Sequence, residues 1–208
     1  SFTHSDPLIP PTRGKAPYLG NNPICFTAPC EGEEPVCLDM ATSMITFNKV
    51  LRMRENQEIA PHGVGFDKKG RETTNPNNIV SLAPAGGYKG YGLSLMVEIL
   101  CALLSDMPFG PYIGHMYNDT LDKKRNLGQF FISINIGCFV DPLHFKKRIS
   151  QLINELRSLE KIDPNLPIFV AGDPEKKISE EYINNGIPIG KNEREFFNDL
   201  SIQYGIKL

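Results

Sequence analysis

The alternation of apolar and polar positions predicts short strands that alternate with helices. Residues 35–40 and 79–83 are short apolar runs with the length of buried strands, and residues 129–136 form a third, strongly β-prone segment. Five apolar residues after the second run recur at helical spacing: Leu93, Met96, Val97, Leu100 and Leu104. This spacing predicts a helix that is packed on nearly all sides.

The last third of the chain carries the sequence marks of helix ends. Pro142 begins an amphipathic helix, residues 168–171 predict a strand, and Asp173-Pro174 are a natural N-cap and first helical residue. Asn185-Gly186 is typical of a helix C-terminus, and a final helix is predicted over 192–204. Because strands and helices alternate, the predicted class is α/β.

Two segments are predicted to lie outside these regular elements. Residues 7–23 contain five prolines, and Tyr18 and Leu19 among them indicate a structured loop. Residues 54–78 are polar and rich in Gly, Asn and Pro, which predicts an excursion on the surface.

Composition excludes several classes of protein. Twenty-two Lys and Arg against 24 Asp and Glu give a net charge of −2, without the basic excess of a nucleic-acid binder. The longest apolar run, residues 93–104, falls short of the roughly 20 residues that span a bilayer. The five cysteines are an odd number without a CxxC pair, which argues against a disulfide framework or zinc site and suits a reducing cytoplasm.

Three junctions between elements carry candidate chemistry. Asp39 to Ser43 places a carboxylate and hydroxyls at a strand end, where they can accept hydrogen bonds from ribose or carboxamide groups. The glycine-rich residues 86–92, with Lys89, open a helix and could hold a phosphate. Gly172-Asp173-Pro174 is a third helix start. A plain N-cap, a tight turn and a capped helix start are the respective structural alternatives.

Histidine adds no catalytic motif. None of the four histidines has another ligand at metal-binding spacing, and no metal site is predicted. His144 is predicted to face solvent, whereas His4, beside Ser5-Asp6-Pro7, could approach a ligand. From the residues alone, the prediction is an α/β domain with a candidate nucleotide-phosphate site.

Together these motifs resemble the malate/L-lactate dehydrogenase family, whose members are nicotinamide-dependent 2-hydroxyacid dehydrogenases. The resemblance is carried by residues 20–23 (GNNP), 38–43 (LDMATS) and 84–93 (PAGGYKGYGL). It extends through residues 108–110 (PFG), 116–119 (MYND) and 125–129 (RNLGQ), which are most similar to the ureidoglycolate dehydrogenase branch.

The resemblance implies a set of NAD-binding residues, which are Ser5, Asp39, Met40, Ala41, Lys89, Gly172, Asp173 and Pro174. It also implies a three-layer mixed sheet with helices on both faces and without the Rossmann order. Residues 1–140 would form an NAD-binding domain that is incomplete at its N-terminus. Residues 141–208 would complete the cofactor site, and the protein would form a homodimer.

The implied reaction is NAD-dependent oxidation of (S)-ureidoglycolate to oxalurate in allantoin breakdown, with malate or L-lactate as alternative substrates. Asp6 would favour NAD by repelling the 2′-phosphate of NADP. The family's base histidine lies in a Gly-His-Ser-Gly segment without a counterpart here, so no catalytic residue is assigned. The chain resembles the C-terminal three-fifths of such enzymes, and a non-catalytic remnant that pairs with a partner chain is the second hypothesis.

Overall fold

The computed structural model describes residues 1–116, 119–120 and 122–207, with the backbone alone at 191–192. Contacts between residues divide the chain into two compact units, Ser1–Leu152 and Ile153–Leu208. The functional boundary predicted at residues 140/141 stays a prediction.

An antiparallel sheet of four strands organises the first unit. The strands are β1 (Phe2–Thr3), β2 (Ile24–Ala28), β3 (Val36–Met40) and β6 (Gln129–Phe130), and they lie in the order β3-β2-β1-β6. Phe2 lies between Ile24 and Phe130, and the hairpin of β2 and β3 pairs Ile24 with Met40. All strand pairs in the described residues are antiparallel.

A second, small sheet supports the hydrophobic core. Strands β4 (Gly65–Phe66) and β5 (Ser81–Leu82) pair with each other, and helix α1 covers Phe47–Glu55. The core consists of the buried residues Val50, Met53, Ala60, Val64, Ile79 and Leu82. Two of them lie in residues 54–78, so the surface prediction for that segment is only partly right. The loop over 7–23 is structured as predicted, since Ile9 and Leu19 are bridged and buried.

Helix α2 (Tyr88–Cys101) buries a single stripe, not its whole circumference. The stripe contains Gly90, Ser94, Val97, Glu98 and Cys101. Leu93 and Met96 are each 38% exposed, so the prediction of packing on nearly all sides is wrong for the structure described. Small and polar residues occupy the buried stripe because this side of α2 packs against the backbone of loops, whose N–H and carbonyl groups need hydrogen-bond partners. Ser94 and Glu98, described below, provide such partners.

The strand predictions were less accurate than the helix predictions. The strand predicted at 35–40 exists, but its Leu38 and Asp39 are exposed instead of buried, and its partner β2 was not predicted. Of residues 129–136, only the first two pair in a sheet, and residues 168–171 are not a strand. Pairing depends on a distant partner, which local hydrophobicity does not specify.

The remaining helices begin and end close to the predicted residues. They are α3 (Pro142–Arg157), α4 (Asp173–Asn185) and α5 (Lys191–Tyr204). Gly186 ends α4 with a φ of 81°, a backbone conformation that glycine adopts readily. None of the helices in the described part of the chain has the length and apolarity needed to cross a membrane.

Candidate functional site

The end of β3 is attached directly to the glycine-rich loop before α2. The Thr42 carbonyl accepts a hydrogen bond from the Ala85 N–H at 2.9 Å. Asp39 is exposed near the end of β3, and Lys89 is exposed in the first turn of α2. Two of the predicted junctions are therefore joined in the folded chain.

Asn21 connects Ser5 to the same strand end. The Ser5 hydroxyl donates to Asn21 Oδ1 at 2.9 Å. The Asn21 backbone carbonyl accepts hydrogen bonds from the N–H and the hydroxyl of Thr42, at 2.9 and 3.0 Å. Ser5, the end of β3 and the glycine-rich loop thus form one hydrogen-bonded cluster.

The neighbouring Asn22 is fully buried, and its amide is satisfied at both ends. Its Oδ1 accepts the Ser5 N–H at 3.0 Å. Its Nδ2 donates to the Ser94 carbonyl at 2.9 Å and to Glu98 Oε2 at 2.7 Å. The residues of the Gly20-Asn21-Asn22-Pro23 motif therefore link the Ser5 segment to helix α2.

Gly20 leaves the space that this close approach requires. A Cβ at position 20 would lie 2.3 Å from Asn22 Oδ1 and 2.4 Å from both Ser5 O and Ser5 Oγ. The Ser94 hydroxyl also donates to the Gly20 carbonyl at 2.8 Å. Any side chain larger than hydrogen at position 20 would displace Ser5.

The glycine-rich loop turns sharply into α2. Gly86 and Gly87 have φ values of 63° and 67°, which side chains with a Cβ rarely adopt. The turn presents the N-terminus of α2, where unpaired N–H groups give a partial positive charge. With the exposed ammonium of Lys89, this end of the helix can hold an anion such as a phosphate.

His4 has a structural role. Its ring is fully buried, with Nε2 3.1 Å from the Pro108 carbonyl oxygen and Nδ1 accepting the Gly128 N–H at 3.2 Å. Both ring nitrogens are therefore engaged, and His4 is an ordinary core histidine. His144 is exposed, as predicted.

Asp6 is buried beside groups that donate to its carboxylate or lie close to it, so the expected repulsion of the 2′-phosphate of NADP needs correction. One carboxylate oxygen lies 3.4 Å from the Arg125 guanidinium, and the other accepts the Met116 N–H at 3.3 Å and lies 3.7 Å from His115 Nδ1. A carboxylate compensated by a guanidinium repels a nearby phosphate weakly. Asp6 gives no support for NAD over NADP. Tyr117 and Asn118 of the adjacent motif lie outside the described residues.

Gly172, Asp173 and Pro174 belong to the second unit and begin α4. Gly172 is the N-cap, with a φ of 97°, and Asp173 is already helical, so the helix begins one residue earlier than predicted. The Asp173 carboxylate accepts hydrogen bonds from Arg157 Nε at 3.0 Å, Arg157 Nη2 at 2.6 Å and the Val170 N–H at 2.9 Å. The hydrogen bond from Arg157 lowers the pKa of Asp173, so the carboxylate is charged at neutral pH. Its contact with a cofactor stays a prediction.

Replacing Arg157 with methionine is expected to lower the free energy of unfolding of the second unit by about 1–2 kcal/mol at pH 7. Because the folded pKa of Asp173 is lowered, the pair stabilises the fold above the ordinary carboxyl pKa of 3.8 and loses this effect as pH falls through the folded value. Urea unfolding at pH 7 and pH 2.5 measures the difference. Arg148→Met on the exposed part of α3 is the control. An equal loss in both variants at pH 7 would contradict the prediction.

Sequence reasoning missed the residues that join the predicted ones. Asn21, Asn22 and Thr42 lie inside motifs that were recognised, but their hydrogen-bonding roles depend on the fold. Glu98 had a signal of its own, as the one acid inside the apolar run 93–104. A buried acid in such a run needs donors. In the described residues, no group of three or more His, Cys, Asp and Glu could hold a metal ion.

Comparisons with known proteins place this arrangement in a family. A model of the malate/L-lactate dehydrogenase family matches residues 1–197. The ureidoglycolate dehydrogenase (NAD(+)) of Escherichia coli O157:H7 is 40% identical over 159 residues, which cover 76% of this chain and 45% of that protein. The malate dehydrogenase of Pyrococcus abyssi is 37% identical over 217 residues, covering 100% of this chain and 59% of that protein.

A solved structure agrees with the sequence comparisons. The crystal structure of malate dehydrogenase from Entamoeba histolytica has a TM-score of 0.90 at 27% identity and covers 100% of this chain and 61% of that one. This likeness confirms the predicted non-Rossmann fold class. The chain spans between 45% and 61% of the length of these relatives. The chain belongs to the malate/L-lactate dehydrogenase family.

Proposed function

We propose that this chain binds NAD and forms part of a dehydrogenase that oxidises a 2-hydroxy acid, with (S)-ureidoglycolate as the substrate. The observation that carries the proposal is the cluster of Ser5, the β3 end and the Lys89 loop, joined through Asn21 and Thr42. Each member offers a group suited to one part of a dinucleotide.

The described residues fit a nicotinamide dinucleotide. The ammonium of Lys89 and the N-terminus of α2 suit a pyrophosphate. The exposed Asp39 carboxylate can accept hydrogen bonds from ribose hydroxyls, and Met40 and Ala41 continue the same strand end. Ser5 supplies a hydroxyl. The proposed contacts of Gly172, Asp173 and Pro174 come from the second unit.

The proposed division of labour assigns binding and orientation to this chain. When bound, NAD accepts the hydride that leaves the substrate's hydroxyl-bearing carbon. The hydroxyl proton needs a base, and His4 cannot serve, because both of its ring nitrogens are engaged in the core. No base is assigned among the described residues.

Ureidoglycolate and NAD are supported by the Escherichia coli O157:H7 relative with 40% identity, whose name specifies both. Malate is the second candidate substrate, because the Pyrococcus abyssi relative aligns over the whole chain. The oxidation would then serve allantoin breakdown in the first case and carboxylic-acid metabolism in the second.

The test is formation of NADH from NAD, and in parallel of NADPH from NADP, by the purified protein with (S)-ureidoglycolate, L-malate or L-lactate. We expect turnover of (S)-ureidoglycolate with NAD to exceed that of the other pairs at least tenfold, since a site built for the polar groups of one substrate discriminates by roughly this much or more. Preference for malate or lactate would overturn the substrate but not the reaction class. Binding of NADH without turnover of any substrate would favour the non-catalytic remnant.

A homodimer is also part of the proposal. Support comes from the apolar side chains on the exposed side of α2, which include Leu95 and Ile99, each at least 40% exposed. Light scattering during gel filtration measures the mass directly, and a monomer at micromolar concentration would contradict this part of the proposal.

A further inference from the structure

Glu98 is a buried carboxylate with two specific donors. The residue is only 3% exposed, and it lies on the buried stripe of α2. Its Oε2 accepts a hydrogen bond from Asn22 Nδ2 at 2.7 Å, and its Oε1 accepts the Gly110 N–H at 2.8 Å. A buried acid is costly unless such donors are held in place. Glu98 thus binds two loops to one helix.

Glu98 is one of three groups that fix the orientation of the Asn22 amide. The two acceptors beside Nδ2 are the Ser94 carbonyl and the Glu98 carboxylate, and the donor beside Oδ1 is the Ser5 N–H. If the amide were rotated by 180°, Oδ1 would face the Ser94 and Glu98 oxygens, and the NH2 group would face the Ser5 N–H. The Glu98 carboxylate, the Ser94 carbonyl and the Ser5 N–H therefore all favour the observed orientation.

Asn22 in turn determines where Ser5 lies. The Ser5 N–H donates to Asn22 Oδ1 at 3.0 Å, and the absence of a side chain at Gly20 permits the contact. The Ser5 hydroxyl donates to the neighbouring residue, Asn21. A change at Asn22 would therefore move the hydroxyl relative to the β3 end.

We propose that Glu98 is a positioning residue for the nucleotide. Through Asn22, it holds Ser5 where its hydroxyl contacts the bound dinucleotide, an inference that rests on the proposed function. Lys89 lies nine residues earlier on the same helix, a rise of roughly 13 Å. One rigid helix therefore sets the spacing between the Lys89 and Ser5 contacts.

Glu98→Gln tests the proposal with almost no change in volume. Oε1 can still accept the Gly110 N–H, but the new amide group faces the Asn22 amide, donor against donor. We expect the Kd for NADH, from fluorescence titration of the 208-residue chain, to rise roughly five- to tenfold, the loss of about one hydrogen bond. In a Ser5→Ala background, the same substitution should change Kd less than twofold, because the positioned hydroxyl is already absent.

Val97→Ala is the matched control, since Val97 is fully buried on the same helix. It should lower the unfolding temperature while leaving the Kd for NADH within twofold of the wild type. If Glu98→Gln raises Kd by the same factor in the wild-type chain and in the Ser5→Ala background, its role is only structural and the inference fails. If the folded wild-type chain binds no NADH, both the proposed function and this inference fail.

Discussion

Replacing Lys89 with alanine is expected to weaken NADH binding by about 10- to 150-fold. Lys89 is exposed in the first turn of α2, where its charge adds to that of the helix N-terminus. Losing a charge-assisted hydrogen bond to a pyrophosphate costs roughly 1.5–3 kcal/mol, which corresponds to this change in Kd. Fluorescence titration at low and physiological salt measures it. The wild-type affinity should fall with salt more steeply than that of the variant, because salt screens the charge of Lys89, which the variant lacks.

Lys68→Ala provides the control for net charge. Lys68 is exposed in the segment between β4 and β5, and its removal changes the total charge by the same amount. Its Kd for NADH should stay within twofold of the wild type, and Lys89→Arg should retain most of the affinity. Equal weakening in the two alanine variants would show that long-range charge, not a direct phosphate contact, governs binding.

Replacing Gly90 with alanine is expected to lower the free energy of unfolding by about 3 kcal/mol or more, a large part of the stability of a small domain. The added Cβ would lie 2.5 Å from both the N and the O of Ala85 and 2.7 Å from the Thr42 carbonyl oxygen. All three are backbone atoms, so relief requires the glycine-rich loop to move away from the β3 end. Urea unfolding followed by circular dichroism measures the loss. NADH binding should weaken in the same variant, since the loop carries Lys89.

Gly92→Ala on the same helix separates crowding from helix propensity. A Cβ at position 92 would have no neighbour within 4 Å. Alanine is favoured over glycine in a helix by roughly 0.5–1 kcal/mol, so Gly92→Ala should stabilise the protein slightly. If Gly90→Ala were as stable as Gly92→Ala, the tight contact between the loop and the β3 end would be refuted.

Under the proposed function, the candidate site would give a dinucleotide the interactions of a phosphate-binding turn without the G-x-G-x-x-G fingerprint. In that fingerprint, the glycines and the helix start are local in sequence. In this chain, the loop at 84–92 supplies the helix start, while Ser5 and the β3 end come from distant segments that Asn21 and Thr42 tie together. Such a site is expected to be sensitive to substitutions that loosen the ties, as the Glu98 and Gly90 variants test.

The helices of the second half were predictable because their signals are local. Pro142 begins α3, Gly186 ends α4 and the final helix covers nearly the predicted residues. The predicted start of α4 was wrong by one residue. The Asp173 carboxylate accepts hydrogen bonds from Arg157 and the Val170 N–H, and Gly172 occupies the N-cap position instead. A cap is assigned by contacts as well as by residue type.

The candidate residues were predictable in kind but not in arrangement. An acid at a strand end, a lysine at a helix start and a family motif around Ser5 are all visible in the linear sequence. Asp6 shows the limit of such reasoning. Its charge suggested repulsion of a phosphate, whereas in the fold Arg125 and His115 lie beside it.

The sequence by itself determined the family, the approximate positions of the helices in the second half and the chemical types of the candidate groups, because each depends on residues that are close together in the chain. Tertiary structure alone decided strand pairing, the single buried stripe of α2 and the links from Ser5 through Asn22 to Glu98. Hydrogen bonds and burial are properties of atoms that meet in space. Which distant donor meets which acceptor follows only from the packed fold.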